Sequence, residues 1–392
     1  MFEALMPYRK ESSTLLSQQI AAQVFPQAIL FSGARYGGRL TLAMETARVL
    51  SCQDDGAGWC TCTSCKQFAT YGMSNVVVVG TRDHKSRIEA ALVNFAELRT
   101  EESRRQLVRT MRIMLLQYHG ALLESADQKG SSAFDAASNV DEALMEIESA
   151  SPGDFPRLAE MVRSVLKPLY AQFKRTVTLS IGQVRSLQEW TMQTSFGNVP
   201  RFIILEGVEQ SNEGARNSLL KLLEEPPEHT FVMLISEYPA RLLPTILSRL
   251  QRHHVRPFSE EEKNLLLSTV FFADGAKYRN LEEYMLERSG VPCKQITAQG
   301  VMFVQSILEK RVLPREQLDV LCDELDEPIR LEYFLKEIQT IVRQRFLEGA
   351  LTDREASRLV SIAGEAEQKA SVFNQSRKLL VESLHYRLLE VR

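Results

Sequence analysis

The chain has 392 residues, 44% of them hydrophobic, and a formal net charge of −3. That length allows roughly two or three domains with ordinary globular cores. The near-neutral charge excludes an overall basic field, so any DNA contact must be a local patch or come from partners. The opening residues MFEALMPYRKESS lack the apolar centre of a signal peptide, and no apolar run is long enough to span a bilayer. The expected location is therefore the cytoplasm, with no membrane partner. Four of the six cysteines crowd into residues 52–65, whereas Cys293 and Cys322 stand alone. In a reducing compartment such a cluster favours a metal over disulfides.

In chain order, residues 12–24 read as an amphipathic helix with Leu15, Leu16, Ile20 and Val24 on one side. Ala28 to Phe31 reads as a short buried strand. It runs into Ser32-Gly-Ala-Arg-Tyr-Gly-Gly38-Arg-Leu-Thr41 and then a helix to about Leu50. Strand, Gly-rich loop and helix are the setting of a phosphate-binding loop, in which backbone N–H groups and the helix N-terminus cradle phosphates. Gly33 and Gly38 occupy the two glycine places of G-x-x-x-x-G-K-[ST], but Arg39 and Leu40 replace the Lys and the Ser/Thr. Arg keeps the charge on a broad planar fork, and Leu has no oxygen for a metal. Thr41 comes one place too late, about 100° further round the helix. Two alternatives stay open: a loop that holds a nucleotide without hydrolysing it, and a plain strand-to-helix turn.

The cysteine module follows as CQDDGAGWCTCTSC, with Cys52, Cys60, Cys62 and Cys65 as candidate ligands of a structural zinc. Four thiolates at about 2.3 Å make a closed tetrahedral site with no open position for catalysis. The single residue between Cys60 and Cys62 is tight for two ligands on one metal, so three ligands plus a spectator thiol is the alternative. Asn75 to Val79 is another buried strand. From about residue 84 to 175 the pattern is helical, with Leu107, Met111, Met114, Leu115, Tyr118 and Leu122 at helix spacing. Leu158, Met161, Val162, Val165 and Leu169 repeat that spacing, and residues 125–139 read as a polar break. This segment is either a helical bundle packed on itself or an arm whose Arg104, Arg105, Arg109 and Arg112 meet phosphates.

Val184 to Thr194 reads as a helix and Asn198-Val-Pro-Arg as a turn. Phe202 to Leu205 is a β-branched, apolar run ending on Glu206, the pattern of a buried parallel strand. Ser211 or Asn212 can cap the next helix, and Pro226-Pro227 stop it. A second buried strand, Phe231 to Ile235, leads to a short helix ending in Thr245-Ile-Leu-Ser-Arg249. From Ser259 onward the pattern is helical throughout.

The stretch 201–250, above all LLKLLEEPPEH and TILSR, resembles the AAA+ subunits of the bacterial sliding-clamp loader. The resemblance spans about residues 10–80 and 176–392. It implies an α/β AAA+ domain over 1–257, a parallel sheet with flanking helices that carries the zinc module 52–65 and the insertion of about 84–175. An all-α lid over 258–312 and an all-α collar over 313–392 would follow. Val177 to Arg185 resembles the start of a family helix, and Phe373-Asn-Gln-Ser-Arg the last collar helix. Family members carry a cysteine module in the same place, with slightly wider spacing in its first two steps.

Function follows from the same resemblance. The family's magnesium-side acid falls at Glu206, and the water-polarising Glu that should follow falls at Gly207; Glu209 lies three residues past the acid. Ser236 or Glu237 falls where the family has a phosphate-sensing polar residue. Ser248-Arg249-Leu250 matches a Ser-Arg-Cys motif whose Arg acts as a finger on a neighbouring subunit's nucleotide; a helix-capping surface Arg is the alternative. Losses at Arg39, Leu40 and Gly207 fall on chemical positions while the scaffold survives. The resemblance therefore implies a subunit that is not an enzyme on its own and completes a gamma/tau ATP site with Arg249. Gamma/tau and delta subunits would be its direct partners, and the sliding clamp and primed DNA would be reached through the complex. An active gamma/tau-type ATPase with an atypical phosphate loop is the alternative.

Overall fold

In the computed structural model, residues 1–122, 128–173, 179–193, 199–372 and 376–391 are described. The chain divides into two compact units, Met1–Ser289 and Gly290–Arg392.

The first unit is built on a five-stranded sheet. Its strands are β1 (Ala28–Gly33), β2 (Val76–Gly80), β3 (Arg201–Glu206), β4 (Thr230–Ser236) and β5 (Gln251–Val255), in the order β2-β3-β4-β1-β5. Every neighbouring pair is parallel. Successive side chains of a strand point to opposite faces, so a strand buried on both sides must be apolar throughout. Ile29, Phe31, Val76, Val78, Phe202, Ile204, Met233 and Ile235 join one core with Leu42, Ala43 and Ala47 of α2 (Arg39–Ser51) and Phe68 of α3 (Thr63–Thr70). The alternate residues Leu30, Val77, Val79, Ile203, Leu205, Val232 and Leu234 join the other. There they meet Val184 and Leu187 of α8 (Ile181–Met192) and Leu219, Leu222 and Leu223 of α9 (Glu213–Glu224).

Local chemistry sets the boundaries of these elements. The Asn212 side chain accepts the Ala215 N–H at 2.8 Å and starts α9, which stops before Pro226-Pro227. Ser259 and Glu262 form a reciprocal capping box that opens α11 (Glu260–Val270). The first helix, α1 (Met6–Ala21), starts earlier than the apolar spacing predicts and is broken at Arg9, at φ −143°.

The fifth strand has no counterpart in the sequence reading. Gln-Arg-His-His-Val has only His253 and Val255 buried, so the strand carries exposed polar residues and lacks an apolar run. Its register against β1 pairs Ile29 with Gln251 and Gly33 with Val255. A Cβ on Gly33 would lie 2.3 Å from the Val255 carbonyl oxygen. That glycine therefore serves the close approach of a strand.

The insertion is a bundle of α4 (His84–Leu98), α5 (Glu101–Leu115), α6 (Gln128–Ser149) and α7 (Phe155–Phe173) with its own core. The Phe95 and Phe155 rings stack in it at 4.0 Å. The expected polar break at 125–139 is helical from Gln128 onward, because Ala136, Ala137, Val140, Ala143, Leu144 and Ile147 form one buried stripe. Two of the four α5 arginines reach other parts of the bundle, and a third pairs along its own helix. Arg104 donates to the Glu148 and Ala150 carbonyls, Arg105 pairs with Glu101, and Arg112 pairs with Glu148. Arg109 lies over the Tyr71 ring. The bundle packed on itself is thus the arrangement observed.

Next in the first unit come α10 (Pro244–Leu247), α11 and α12 (Leu281–Arg288). The second unit is all helical: α13 (Cys293–Leu308), α14 (Arg315–Glu324), α15 (Pro328–Leu347), α16 (Asp353–Val372) and α17 (Arg377–Leu389). Phe303 meets Phe334 edge-on at 5.4 Å, and fully buried His385 accepts the Leu313 N–H at 3.1 Å. Cys293 and Cys322 are both buried here. Val177 and Phe373, which open the two family-like stretches, and Asn198 of the expected turn lie outside the described residues. No described helix is long and apolar enough to cross a membrane.

Candidate functional site

In open parallel sheets ligands bind beyond the carboxyl ends of the strands. Here those ends carry the loop after β1, Glu206 at the tip of β3, and Ser236-Glu237 at the end of β4. The structure thus brings together Gly33, Gly38, Arg39, Thr41 and Glu206.

The loop is propped from within. Gly38 is left-handed (φ 78°) and caps α2, and Tyr36 is left-handed too (φ 59°). Arg9 is buried; its guanidinium donates to the Gly37 carbonyl at 2.6 Å and the Arg256 carbonyl at 2.8 Å, and lies 3.4 Å over the Phe258 ring. Burial lowers its pKa to about 10. The Arg87 guanidinium covers the Tyr36 ring at 4.1 Å, and burial pushes the Tyr36 hydroxyl far up. Leu40, at the place of a metal-holding hydroxyl, is buried in the core under the sheet. Thr41 is half-buried on the first turn of α2. Arg39 is half-buried as well; burial lowers its pKa against the pull of Glu237 and Glu206. Arg35 pairs with Glu237 at 3.5 Å.

Glu206 is already satisfied. Its carboxylate takes two hydrogen bonds from Arg82, at 2.8 Å from Nε and 3.1 Å from Nη2. Both side chains are largely buried, with relative exposures of 15% for Arg82 and 12% for Glu206. Burial alone would raise the Glu206 pKa, but Arg82 and, less strongly, Arg87 hold it below the ordinary value. Burial and the charge of Arg82 push His84 down to about 3, so the ring is neutral at ordinary pH. The next position is a left-handed glycine: Gly207 has φ 71°, and a Cβ there would lie 2.3 Å from the Thr81 hydroxyl oxygen. Glu209 accepts from the Ser236 hydroxyl at 2.8 Å, and burial raises its pKa. Position 40 offers no oxygen, and the strand acid is engaged by a guanidinium.

Arg249 stands elsewhere. It lies two residues before β5, and Gln251 at the start of β5 pairs with Ile29 at the start of β1. The loop leaves β1 from Gly33, four steps further on, or about 13 Å along a strand. Arg249 is therefore at the opposite end of the sheet from the chain's own glycine-rich loop. Nη1 donates to the Thr245 carbonyl at 2.6 Å and to the Ser248 hydroxyl at 3.4 Å, and Nη2 pairs with the Glu224 carboxylate. The exposed Ser248 hydroxyl itself donates to the Thr245 carbonyl at 3.1 Å.

The four module cysteines converge. All four Sγ atoms lie within 4.8 Å of one another, with Cys52–Cys60 at 3.6 Å and Cys52–Cys62 at 4.0 Å. A tetrahedral zinc with bonds of about 2.3 Å requires sulfur separations of about 3.8 Å, so the donor set fits. Cys52 ends α2, while Cys62 caps α3 and Cys65 lies in its first turn, which brings both ends of the module to one point. Backbone N–H groups of Asp54, Cys62 and Cys65 point at the sulfurs of Cys52, Cys60 and Cys62. The Gln53 and Cys65 N–H groups, against opposing burial, bring the Cys62 thiol down to about 6. The Cys60 thiol donates to Asp54 at 3.0 Å, and Arg48 donates to the Cys65 sulfur at 3.1 Å.

Arg9, Arg82, Glu224 and Arg48 are participants that sequence reasoning missed. Arg82 had one usable signal, its place two residues beyond a buried strand, but the partner appears only once β2 and β3 are known to be neighbours.

A doubly covered parallel sheet with a glycine-rich loop after its first strand and a helical continuation fits the AAA+ fold. The chain belongs within it to the family described as "DNA polymerase III, delta subunit", which matches residues 8–129 and 141–259, more than half of its length. The DNA polymerase III subunit delta' of Bacillus subtilis (strain 168) is 33% identical over 141 residues, 36% of this chain and 42% of that protein. The Pseudomonas aeruginosa subunit delta' is 45% identical over 71 residues, 18% of this chain and 22% of that protein. The Escherichia coli (strain K12) subunit delta' is 32% identical over 84 residues, 21% and 25% of the two chains. Each match spans less than half the length of the relative.

Proposed function

We propose that the chain is a non-hydrolysing, delta-prime-like subunit of the DNA polymerase III clamp loader. In this reading it is a stator that supplies Arg249 to the ATP site of a neighbouring gamma/tau-type subunit while the sliding clamp is loaded onto primed DNA. The observation that carries the reading is the place of Arg249, at the end of the sheet away from its own loop and partly exposed, which suits action on another chain. Family membership and the delta' names of the relatives support it.

At a neighbour's nucleotide the guanidinium would stabilise charge on the transferring phosphoryl group, an effect worth about 10³–10⁵ in rate in other systems. Ser248 and Thr245 hold it. The chain's own loop keeps the outline of Gly33, Gly38 and Arg39, but Leu40, Gly207 and the Arg82–Glu206 pair leave no place for metal-assisted hydrolysis. Cys52, Cys60, Cys62 and Cys65 would hold one zinc, which when bound ties α2 to α3 and stiffens the module. Residues 258–312 would act as lid and 313–392 as collar, the latter assembling with gamma/tau and delta.

The test is steady-state hydrolysis by the isolated chain, with no turnover expected. Turnover that disappears on Arg39→Ala would favour the active-ATPase alternative. Mixing the chain with gamma/tau and delta subunits should yield a stable complex.

A further inference from the structure

Arg249 is held from two separate elements, and that arrangement carries a role for Glu224. Glu224 is the last residue of α9; Leu222 and Leu223 just before it are buried in the core, and Pro226-Pro227 follow. Thr245 belongs to α10, where Ile246 is fully buried. The carboxylate and the carbonyl that hold the guanidinium therefore stand on two anchored backbones.

We infer that Glu224 is a positioning residue for Arg249, fixing the plane in which the guanidinium is presented to a neighbouring subunit's phosphate. The inference rests on the trans role proposed above. Arginine offers five N–H donors in a rigid fork. Two on Nη1 go to Thr245 and Ser248, and one on Nη2 goes to Glu224. Among the described residues the Nε–H and the second Nη2 hydrogen have no acceptor, and they remain for one supplied from outside the chain. Without Glu224 the fork is held from α10 alone and its long side chain regains rotamer freedom that must be lost again on each encounter. The pair is half-exposed, at 32% for Arg249 and 47% for Glu224, so its effect is modest.

The experiment is ATP turnover by the reconstituted loader, with kcat and KM for ATP measured separately. Glu224→Ala should lower kcat about two- to fivefold with KM unchanged, the scale of an exposed ion pair. Glu224→Gln, which keeps an acceptor oxygen, should retain more turnover than Glu224→Ala. In an Arg249→Ala background, Glu224→Ala should have no further effect. Thermal unfolding of each variant chain should match the parent. If Arg249→Ala depresses turnover while Glu224→Ala leaves or raises it, the positioning role is overturned and the finger stands. If neither change affects turnover, the finger and the positioning role fall together.

Discussion

The Arg82 guanidinium and the Glu206 carboxylate meet through two hydrogen bonds, at 2.8 and 3.1 Å, between the ends of neighbouring parallel strands. Gly80 pairs with Glu206 in the sheet, which sets Arg82 two residues beyond its partner's level. At the position where the family resemblance places a metal-side acid, an internal cation is already present.

Arg82→Leu should therefore destabilise the chain by about 3 kcal/mol, the cost of leaving a largely buried charge without its partner. Urea unfolding at neutral pH checks this. The Glu206 pKa is lowered below its ordinary 4.5 in the folded chain. The pair's contribution is thus fully present above that value and is lost as pH falls through the lower, folded-state value. Arg82→Leu should lose this acid-side dependence, so parent and variant should converge in stability at low pH.

Gly207→Glu restores a carboxylate after the strand acid but should not restore hydrolysis. Its Cβ would meet the Thr81 hydroxyl oxygen at 2.3 Å, and φ is 71°. A side chain in that backbone region costs about 1–3 kcal/mol. A lowered melting temperature with no ATP turnover by the isolated chain is the expected pair of results.

Purified protein should carry about one zinc, the stoichiometry of a single four-thiolate site. Cys62→Ser should lower that content, and Cys293→Ser or Cys322→Ser, both in the second unit, should not. Metal analysis of the variants decides it, and zinc-free parent protein would remove the site.

Phe95→Ala should loosen the insertion bundle, because that ring stacks on Phe155 at 4.0 Å in the bundle's own core. A cost of about 3–5 kcal/mol is expected for a buried phenylalanine. Hydrogen exchange across α4–α7 measures it.

Strands β1 to β4 were legible because burial on both faces demands unbroken apolar runs, and Val76–Val79 and Phe202–Leu205 are such runs. β5 was not, because a strand with only two buried residues looks like a polar loop. The helix over 128–139 was obscured by Gly130 and the polar residues around it. The converging sulfurs were legible from spacing, and the loop's missing groups from identity alone. Long-range pairs were hidden: Arg82–Glu206 and Arg9–Gly37 join residues whose proximity only the fold creates. Among the α5 arginines, Arg104, Arg105 and Arg112 show how a charged helix face can be spent on its own bundle.

ATP turnover by a loader reconstituted with parent or Arg249→Ala chain tests the trans role most directly. The account predicts a folded variant that still assembles, with turnover reduced by more than the two- to fivefold expected of Glu224→Ala, a finger being worth about 10³–10⁵ at its own site elsewhere. Equal turnover with the two chains would contradict it.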